Sequence, residues 1–141
     1  MKNKVISFVG DGWGAVAAVK SLEKYFSLHY FTNDNEVNNI LSSQNENIRF
    51  DKIEDLRNEI LVFAGYNSIV KPEIIDKYTV INIHYSLLPK YRGLHSTAWE
   101  ILNGEEELGI SIHLMTTFID DGPIIFQKSF KNDNCLTLTN Y

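Results

Sequence analysis

Three segments of the chain carry side chains able to do chemistry. The first is Val80-Ile81-Asn82-Ile83-His84-Tyr85-Ser86-Leu87-Leu88-Pro89. Side chains alternate along a strand, so Asn82 and His84 point to one side and Ile81 and Ile83 to the other, into a packed layer. Burial alone does not call for an amide and an imidazole at the end of an otherwise apolar strand. A single histidine there reads most simply as a core group with its hydrogen bonds made. The pair reads better as part of a ligand site. The second segment is Phe118-Ile119-Asp120-Asp121-Gly122-Pro123. Taken alone, two acids before Gly-Pro describe a solvated turn. Beside His84, a carboxylate can orient the imidazole or give it a proton. The third is Gly10-Asp11-Gly12-Trp13-Gly14-Ala15, a G-x-G-x-x-A pattern with Asp34 roughly 20 residues on. It admits two readings: a dinucleotide pyrophosphate over a helix N-terminus, or a tight glycine turn that packs a helix on a sheet. Asp11 would repel a phosphate. A nicotinamide-dependent reductase built on this turn also leaves Asn82, His84 and the acids unexplained. His29, His84, His95 and His113 show no metal-ligand spacing, so no metal site is read.

The elements that must position these residues alternate. Residues 5–9 form a short apolar run ending in Gly10, a buried strand. Ala15, Ala18, Val19, Leu22 and Tyr25 then recur at helical spacing on one face. Residues 28–31 form a second strand. Asn33 followed by Glu36 has the form of a capping box, opening a helix with Val37, Ile40 and Leu41 inward. Residues 48–50 suggest a short strand, and Ile53 and Leu56 a helical turn. Residues 60–64 are a further buried strand. Pro72 suits the first turn of a helix through Asp76, and residues 79–84 form the next strand. Thr97 with Glu100 repeats the capping-box pattern, and Gly104 can end that helix. Residues 108–115 alternate, with Ile110, Ile112 and Leu114 on one face, and residues 124–130 form the last strand. Strands alternating with helices predict an α/β fold with a mainly parallel sheet flanked by helices. The last two strands are joined by a loop alone, which predicts an antiparallel edge. Ligands in such sheets sit beyond the carboxyl ends of the strands.

Composition bounds the function. The chain has 141 residues, 44% hydrophobic and 22% charged, with a formal charge of −5. One packed domain spanning 1–141 is expected. The acidic balance argues against nucleic acid as the main partner, which leaves a basic footprint. No apolar run reaches the ~18 residues of a membrane span, so no membrane partner is expected. A single cysteine, Cys135, excludes an internal disulfide and a cysteine zinc cage. A cytoplasmic location is the expectation that follows.

Asn82-Ile83-His84, then Ser86-Leu87-Leu88-Pro89-Lys90-Tyr91-Arg92-Gly93, then Asp120 two residues before Gly122-Pro123, resemble the signature of the folate-dependent formyltransferases. That family includes glycinamide ribonucleotide, methionyl-tRNA and nucleotide-sugar N-formyltransferases. The resemblance runs through essentially the whole chain and is strongest from Ala64 to Gln127. It implies a Rossmann-like formyl-transfer domain, with 10-formyltetrahydrofolate as formyl donor to a primary amine. It further implies that Asn82, His84 and Asp120 are catalytic. As the amine attacks the formyl carbon, negative charge develops on the formyl oxygen, and the Asn82 amide and His84 ring can donate to it. The nitrogen becomes positive and sheds a proton, for which Asp120 is the acceptor. Gly65-Tyr66-Asn67-Ser68-Ile69-Val70 matches the segment lining the family's folate pocket, so Tyr66, Asn67, Ser68, Ile69 and Val70 are expected at the folate. Thr117, Ile119 and Asp121 are expected to close its other side.

The stretch from His84 to Gly93 looks most like the nucleotide-sugar N-formyltransferases. The expected substrate is the amino group of a dideoxy sugar linked to a nucleoside diphosphate, destined for surface polysaccharide such as the O-antigen. Trp13 would stack on the base, Lys71 or Arg92 would meet the pyrophosphate, and Tyr85 would line the sugar pocket. Gly12, Ser86 and Gly93 complete the expected substrate residues. A glycinamide ribonucleotide enzyme needs a phosphate cradle after the first strand, where this chain has Asp11 and Trp13. Family enzymes continue beyond the signature, whereas this sequence stops at Thr137-Leu138-Thr139-Asn140-Tyr141, where another helix would start. The family's C-terminal extension is therefore expected to be absent, and uncovered apolar surface favours self-association as a homodimer. The alternatives are a glycinamide ribonucleotide-type formyltransferase, or an inactive truncated remnant that binds folate or a sugar nucleotide without turnover.

Overall fold

The structure is a computed structural model and describes residues 4–133. Cys135 and the helix expected to start in 137–141 lie outside the described residues. In a seven-stranded sheet the strands lie in the order 48–49, 27–31, 5–10, 60–64, 79–84, 107–114 and 124–131. It is the expected mainly parallel α/β sheet with an antiparallel edge. The chain divides into two compact units between Ile81 and Asn82.

The first unit runs β1 (Val5–Gly10), α1 (Gly12–Leu22), β2 (Ser27–Phe31), α2 (Asn35–Ser42), β3 (Ile48–Arg49), a 3-10 turn (Ile53–Asp55), β4 (Ile60–Ala64), α3 (Pro72–Lys77) and the start of β5 (Thr79–His84). β1 pairs in parallel with β2 and with β4, and β2 with β3. Phe8, Leu28, Tyr30, Leu61 and Phe63 of the strands are buried, as are Ala15 and Val19 of α1 and Val37 and Leu41 of α2. Such continuous apolar runs are what a strand covered on both faces needs. A side chain at Gly10 would collide with the Ala64 carbonyl, so a glycine is what lets β1 and β4 come together there. Tyr25, expected on the inward face of α1, lies past its end and is 71% exposed.

The cap of α2 is one residue later than the Asn33–Glu36 pattern predicts. Asp34 is the N-cap, and its Oδ1 accepts from the Glu36 and Val37 N–H groups. Its Oδ2 accepts from the Gly12 N–H at 3.0 Å. Those backbone hydrogen bonds, with Val37 foremost, hold the Asp34 carboxyl below its usual range.

The second unit contains the end of β5, α4 (Ser96–Leu102), β6 (Glu107–Leu114) and β7 (Ile124–Lys131). β6 and β7 pair antiparallel, with Leu108 opposite Phe130 and Ser111 opposite Gln127. Ser111 and His113 on β6 are more buried than Ile110, Ile112 and Leu114 on its other side.

Helix α4 departs most from the sequence expectation. Its N-cap is His95, with φ 58°, and not a Thr97–Glu100 capping box. The Thr97 hydroxyl donates to the Tyr85 carbonyl at 2.8 Å. Ser96 and Glu100 face inward, while Trp99 and Leu102 are more than half exposed. Glu100 is 2% exposed, and its Oε2 has no hydrogen-bond partner. Burial pushes its carboxyl up from 4.5 to about 7, partly offset by the Leu87 N–H that donates to it. The folded pKa lies above the unfolded one. Stability from the protonated form is therefore complete below about 4.5 and is lost as pH rises through about 7. Thermal unfolding at pH 5 and pH 8 should show a smaller loss of Tm over that interval in Glu100→Gln than in the wild type. Equal losses would show that Glu100 does not titrate in this way.

Candidate active site

The site is built at the end of β5. Alternation along the strand sends Asn82 and His84 to one side, and both meet Asp120 from the turn between β6 and β7. Asn82 Nδ2 lies 3.2 Å from Asp120 Oδ1. His84 Nδ1 lies 3.4 Å from Asp120 Oδ2, with both side chains nearly buried. The Gly93 N–H donates to the same Oδ2 at 2.8 Å. Asp120 has a left-handed backbone, φ 47°. That conformation is costly for a residue other than glycine and persists where surrounding contacts over-determine it.

A fourth group, His113, is one the sequence reading did not assign to the site. It is 1% exposed on β6. Its Nδ1 faces the Leu114 carbonyl at 2.9 Å. A carbonyl only accepts, so Nδ1 carries the hydrogen. Its Nε2 is 3.2 Å from Asn82 Nδ2 and 3.4 Å from Asp120 Oδ1. The signal available in the sequence was its place two residues after Ser111 on an alternating strand.

Both ring nitrogens of His84 face acceptors, because Nε2 lies 2.8 Å from the Tyr91 carbonyl. One Nδ2 hydrogen of Asn82 is likewise directed at Asp120 Oδ1, and Nδ2 also lies 3.2 Å from His113 Nε2. Burial alone would raise the Asp120 carboxyl. The hydrogen bond from His113, the Gly93 N–H and the His84 and His113 charges outweigh it and hold the carboxyl below its usual range. The ionised form is thus the one this environment supports.

The other expected residues separate into two groups. Arg92 and Asp121 are both exposed and pair with each other at 2.5 Å. Gly93 lies in the cluster through its backbone. Trp13 is 70% exposed on the first turn of α1. Asn67, Ser68 and Ile69 are exposed after β4, and Tyr66 packs edge-on against Phe63. Thr117 and Ile119 are exposed, and Tyr85 is half-buried.

Four further expected residues are buried or have partners within the protein. Ser86 is fully buried, and its hydroxyl donates to the Lys90 and Tyr91 carbonyls, so it holds a turn. Val70 is a core residue, 7% exposed. Lys71 is exposed and pairs with Glu54 at 2.6 Å. The Gly12 N–H is taken by Asp34. This last bond also counts against a dinucleotide on the Gly10 turn. Asp11 Oδ1 accepts from the Thr32 hydroxyl and the Asn33 N–H, so both acids of that pattern serve the fold. No group of three metal-ligating side chains occurs among the described residues, and no described helix is long and apolar enough to cross a membrane.

The formyl transferase family model matches residues 2–141. The chain belongs to the formyl transferase family. A methionyl-tRNA formyltransferase of Caldanaerobacter subterraneus subsp. tengcongensis is 39% identical over 92 residues, covering 62% of this chain and 30% of that one. The phosphoribosylglycinamide formyltransferase of Escherichia coli K12 is 44% identical over 71 residues, covering 49% and 34%. The chain therefore spans about a third of the length of these curated relatives. Among solved structures, phosphoribosylglycinamide formyltransferase from Streptococcus pneumoniae TIGR4 superposes with a TM-score of 0.78 at 19% identity, covering 99% of this chain and 88% of that one. The sugar 3N-formyl transferase WlaRD, solved with dTDP and 5-N-formyl-THF, gives 0.71 at 25% identity, covering 94% and 53%.

Replacing His113 by Phe should move the Asp120 carboxyl titration upward, as followed by carbon NMR, because the hydrogen bond that offsets burial is removed. Stability from ionised Asp120 is present above the ordinary carboxylate range and lost as pH falls through the depressed value. The variant should lose that dependence in part. An unmoved titration would remove His113 from the cluster.

Proposed function

We propose that this chain forms the formyl-transfer catalytic domain of an enzyme that moves a formyl group from 10-formyltetrahydrofolate to a primary amine. The amine we propose is the amino group of a nucleotide-linked amino-dideoxy sugar. The observation that carries the reading is the convergence of an amide, an imidazole and an ionised carboxylate at the end of β5.

The carrier, when bound, supplies a formyl carbon open to attack by a neutral amine. The residues after β4 suit a flat heterocycle with an amide-like edge, since exposed Asn67 and Ser68 stand beside the apolar Ile69 and the Tyr66 ring. The chain's own groups then have distinct tasks. Asn82 and His84 turn N–H groups toward the developing oxyanion, each giving up one of its present partners, and one such donor is worth about 10²–10³ in rate. Asp120, ionised and already bonded to His84, takes the proton that the attacking nitrogen sheds, and would return it to the carrier nitrogen released when the old carbon–nitrogen bond to the formyl group breaks. His113 and the Gly93 N–H keep the carboxylate in place.

The choice of amine rests on two features. Asp34 occupies the Gly12 N–H and Asp11 lies beside it, so the turn after β1 offers no open phosphate cradle of the kind a ribonucleotide phosphate needs. Trp13 and Arg92 are exposed, and Arg92 can exchange Asp121 for a pyrophosphate oxygen. The likeness to WlaRD, a sugar 3N-formyl transferase, supports the same reading. Glycinamide ribonucleotide is the second reading, favoured by the 44% identity to the Escherichia coli enzyme.

Formyl transfer assayed with a panel of amino-sugar nucleotides, glycinamide ribonucleotide and methionyl-tRNA separates these amines. Turnover confined to a sugar nucleotide is expected, and turnover confined to one of the others would overturn the choice. In the same assay Asn82→Ala or His84→Ala should lower kcat by about 10²–10³ with little change in folate affinity, because both act on charge that develops only during reaction. Equal losses of binding and turnover would make them pocket walls.

A further inference from the structure

The turn that follows β5 contributes two backbone groups to the site: the Tyr91 carbonyl on His84 Nε2 and the Gly93 N–H on Asp120 Oδ2. What holds that turn lies behind it. Ser111, on β6, is fully buried. Its hydroxyl donates to the Ser86 carbonyl at 2.6 Å. It accepts from the Leu88 N–H at 3.0 Å and from Gln127 Nε2 at 2.8 Å. One donor and two acceptor positions are all a hydroxyl has, so Ser111 is fully used. The second Nε2 hydrogen of Gln127, on β7, goes to the Leu88 carbonyl at 2.7 Å. Glu100, on α4, accepts the Leu87 N–H between them. Side chains from three elements thus take the Ser86 carbonyl, the Leu87 N–H and both polar groups of the Leu88 backbone. Ser86 relays this forward, its own hydroxyl donating to the Lys90 and Tyr91 carbonyls. A turn free of such contacts could satisfy those groups in water in many arrangements, and the Tyr91 carbonyl would not be fixed.

We propose that Ser111 and Gln127 are positioning residues of the site: they clamp the 86–88 backbone and thereby set the Tyr91 carbonyl on His84 and the Gly93 N–H on Asp120. Neither touches the reacting atoms. The kinetic part of this inference rests on the formyl-transfer reading, whereas the structural part does not. In the wild type the clamp fixes which His84 nitrogen carries its hydrogen toward the turn, because the Tyr91 carbonyl can only accept.

The test is Ser111→Ala, which removes one oxygen, and Gln127→Leu on the edge strand, which keeps much of the side-chain bulk. Nitrogen NMR of the His84 ring and amide exchange at Leu88 and Gly93 are measured on the full chain without ligands. Both variants should move the His84 Nε2 resonance and speed exchange at Leu88 and Gly93 by tenfold or more. In the formyl-transfer assay they should lower kcat about tenfold or more, with KM for the amine within about twofold, the split expected of a lost orientation. An unchanged His84 resonance in a folded variant would overturn the proposal, even if that variant were less stable, since a plain core group would lower stability alone. If Ser111→Ala does not fold, Gln127→Leu decides by the same readouts. A shifted resonance in a chain that transfers no formyl group to any amine would keep the clamp and reject the formyl-transfer reading.

Discussion

One carboxylate organises the second unit. Asp120 Oδ2 receives the Gly93 N–H and faces the His84 ring, and Oδ1 receives the Asn82 amide and faces His113. Burying a carboxylate is costly unless hydrogen bonds and nearby positive groups offset the lost hydration. Here the partners do so, and the acid stays ionised despite its burial. The same bonds that stabilise the charge fix the amide and the imidazole. Electrostatics and geometry are therefore one constraint, and the left-handed backbone of Asp120 is tolerated within it.

The environment of that cluster follows from the strands. β5 delivers Asn82 and His84 to one side because alternate side chains share a face. β6 delivers Ser111 and His113 by the same rule, and a polar buried face on β6 exists because both have work there. Polar networks of this kind specify a unique arrangement only when every member is satisfied. In the turn from Ser86 to Gly93, side chains of α4, β6 and β7 take the backbone groups of residues 86–88, and Glu100 Oε2 alone among those clamping atoms has no hydrogen-bond partner.

Much of this was legible in the residues. The strand at 79–84 and its Asn82–His84 pair could be read because the apolar run ends in polar groups with period two. The antiparallel edge followed from a connection lacking a helix. The cap of α2 lies one residue past the pattern because Asn33 and Asp34 are both good capping types, and the partners that hold them, Asp11 on the Asn33 N–H and Gly12 on Asp34, come from a distant turn. Helix α4 defeated the pattern, since Thr97 and Glu100 have the types of a capping box, whereas the Thr97 hydroxyl goes to the Tyr85 carbonyl and Glu100 is buried. Ser86 was read as a pocket residue because its type suits either role. Its burial and its carbonyl partners come from tertiary packing that no local pattern records. Lys71 was assigned by charge alone, and its Glu54 partner lies 17 positions earlier. His113 stayed hidden beside the more conspicuous alternation of Ile110, Ile112 and Leu114.

The site is closed on itself: Asn82 Nδ2 and both ring nitrogens of His84 already lie against acceptors within the protein. Function then requires an exchange of partners when a carbonyl compound arrives. A crystal structure with a formyl-folate analogue and an amino-sugar nucleotide tests this most directly. The account predicts Asn82 Nδ2 and a His84 ring nitrogen within about 3 Å of the carbonyl oxygen, with Asp120 facing the amine. Ligands bound elsewhere, with Asn82 still on His113 and His84 still on the Tyr91 carbonyl, would contradict it.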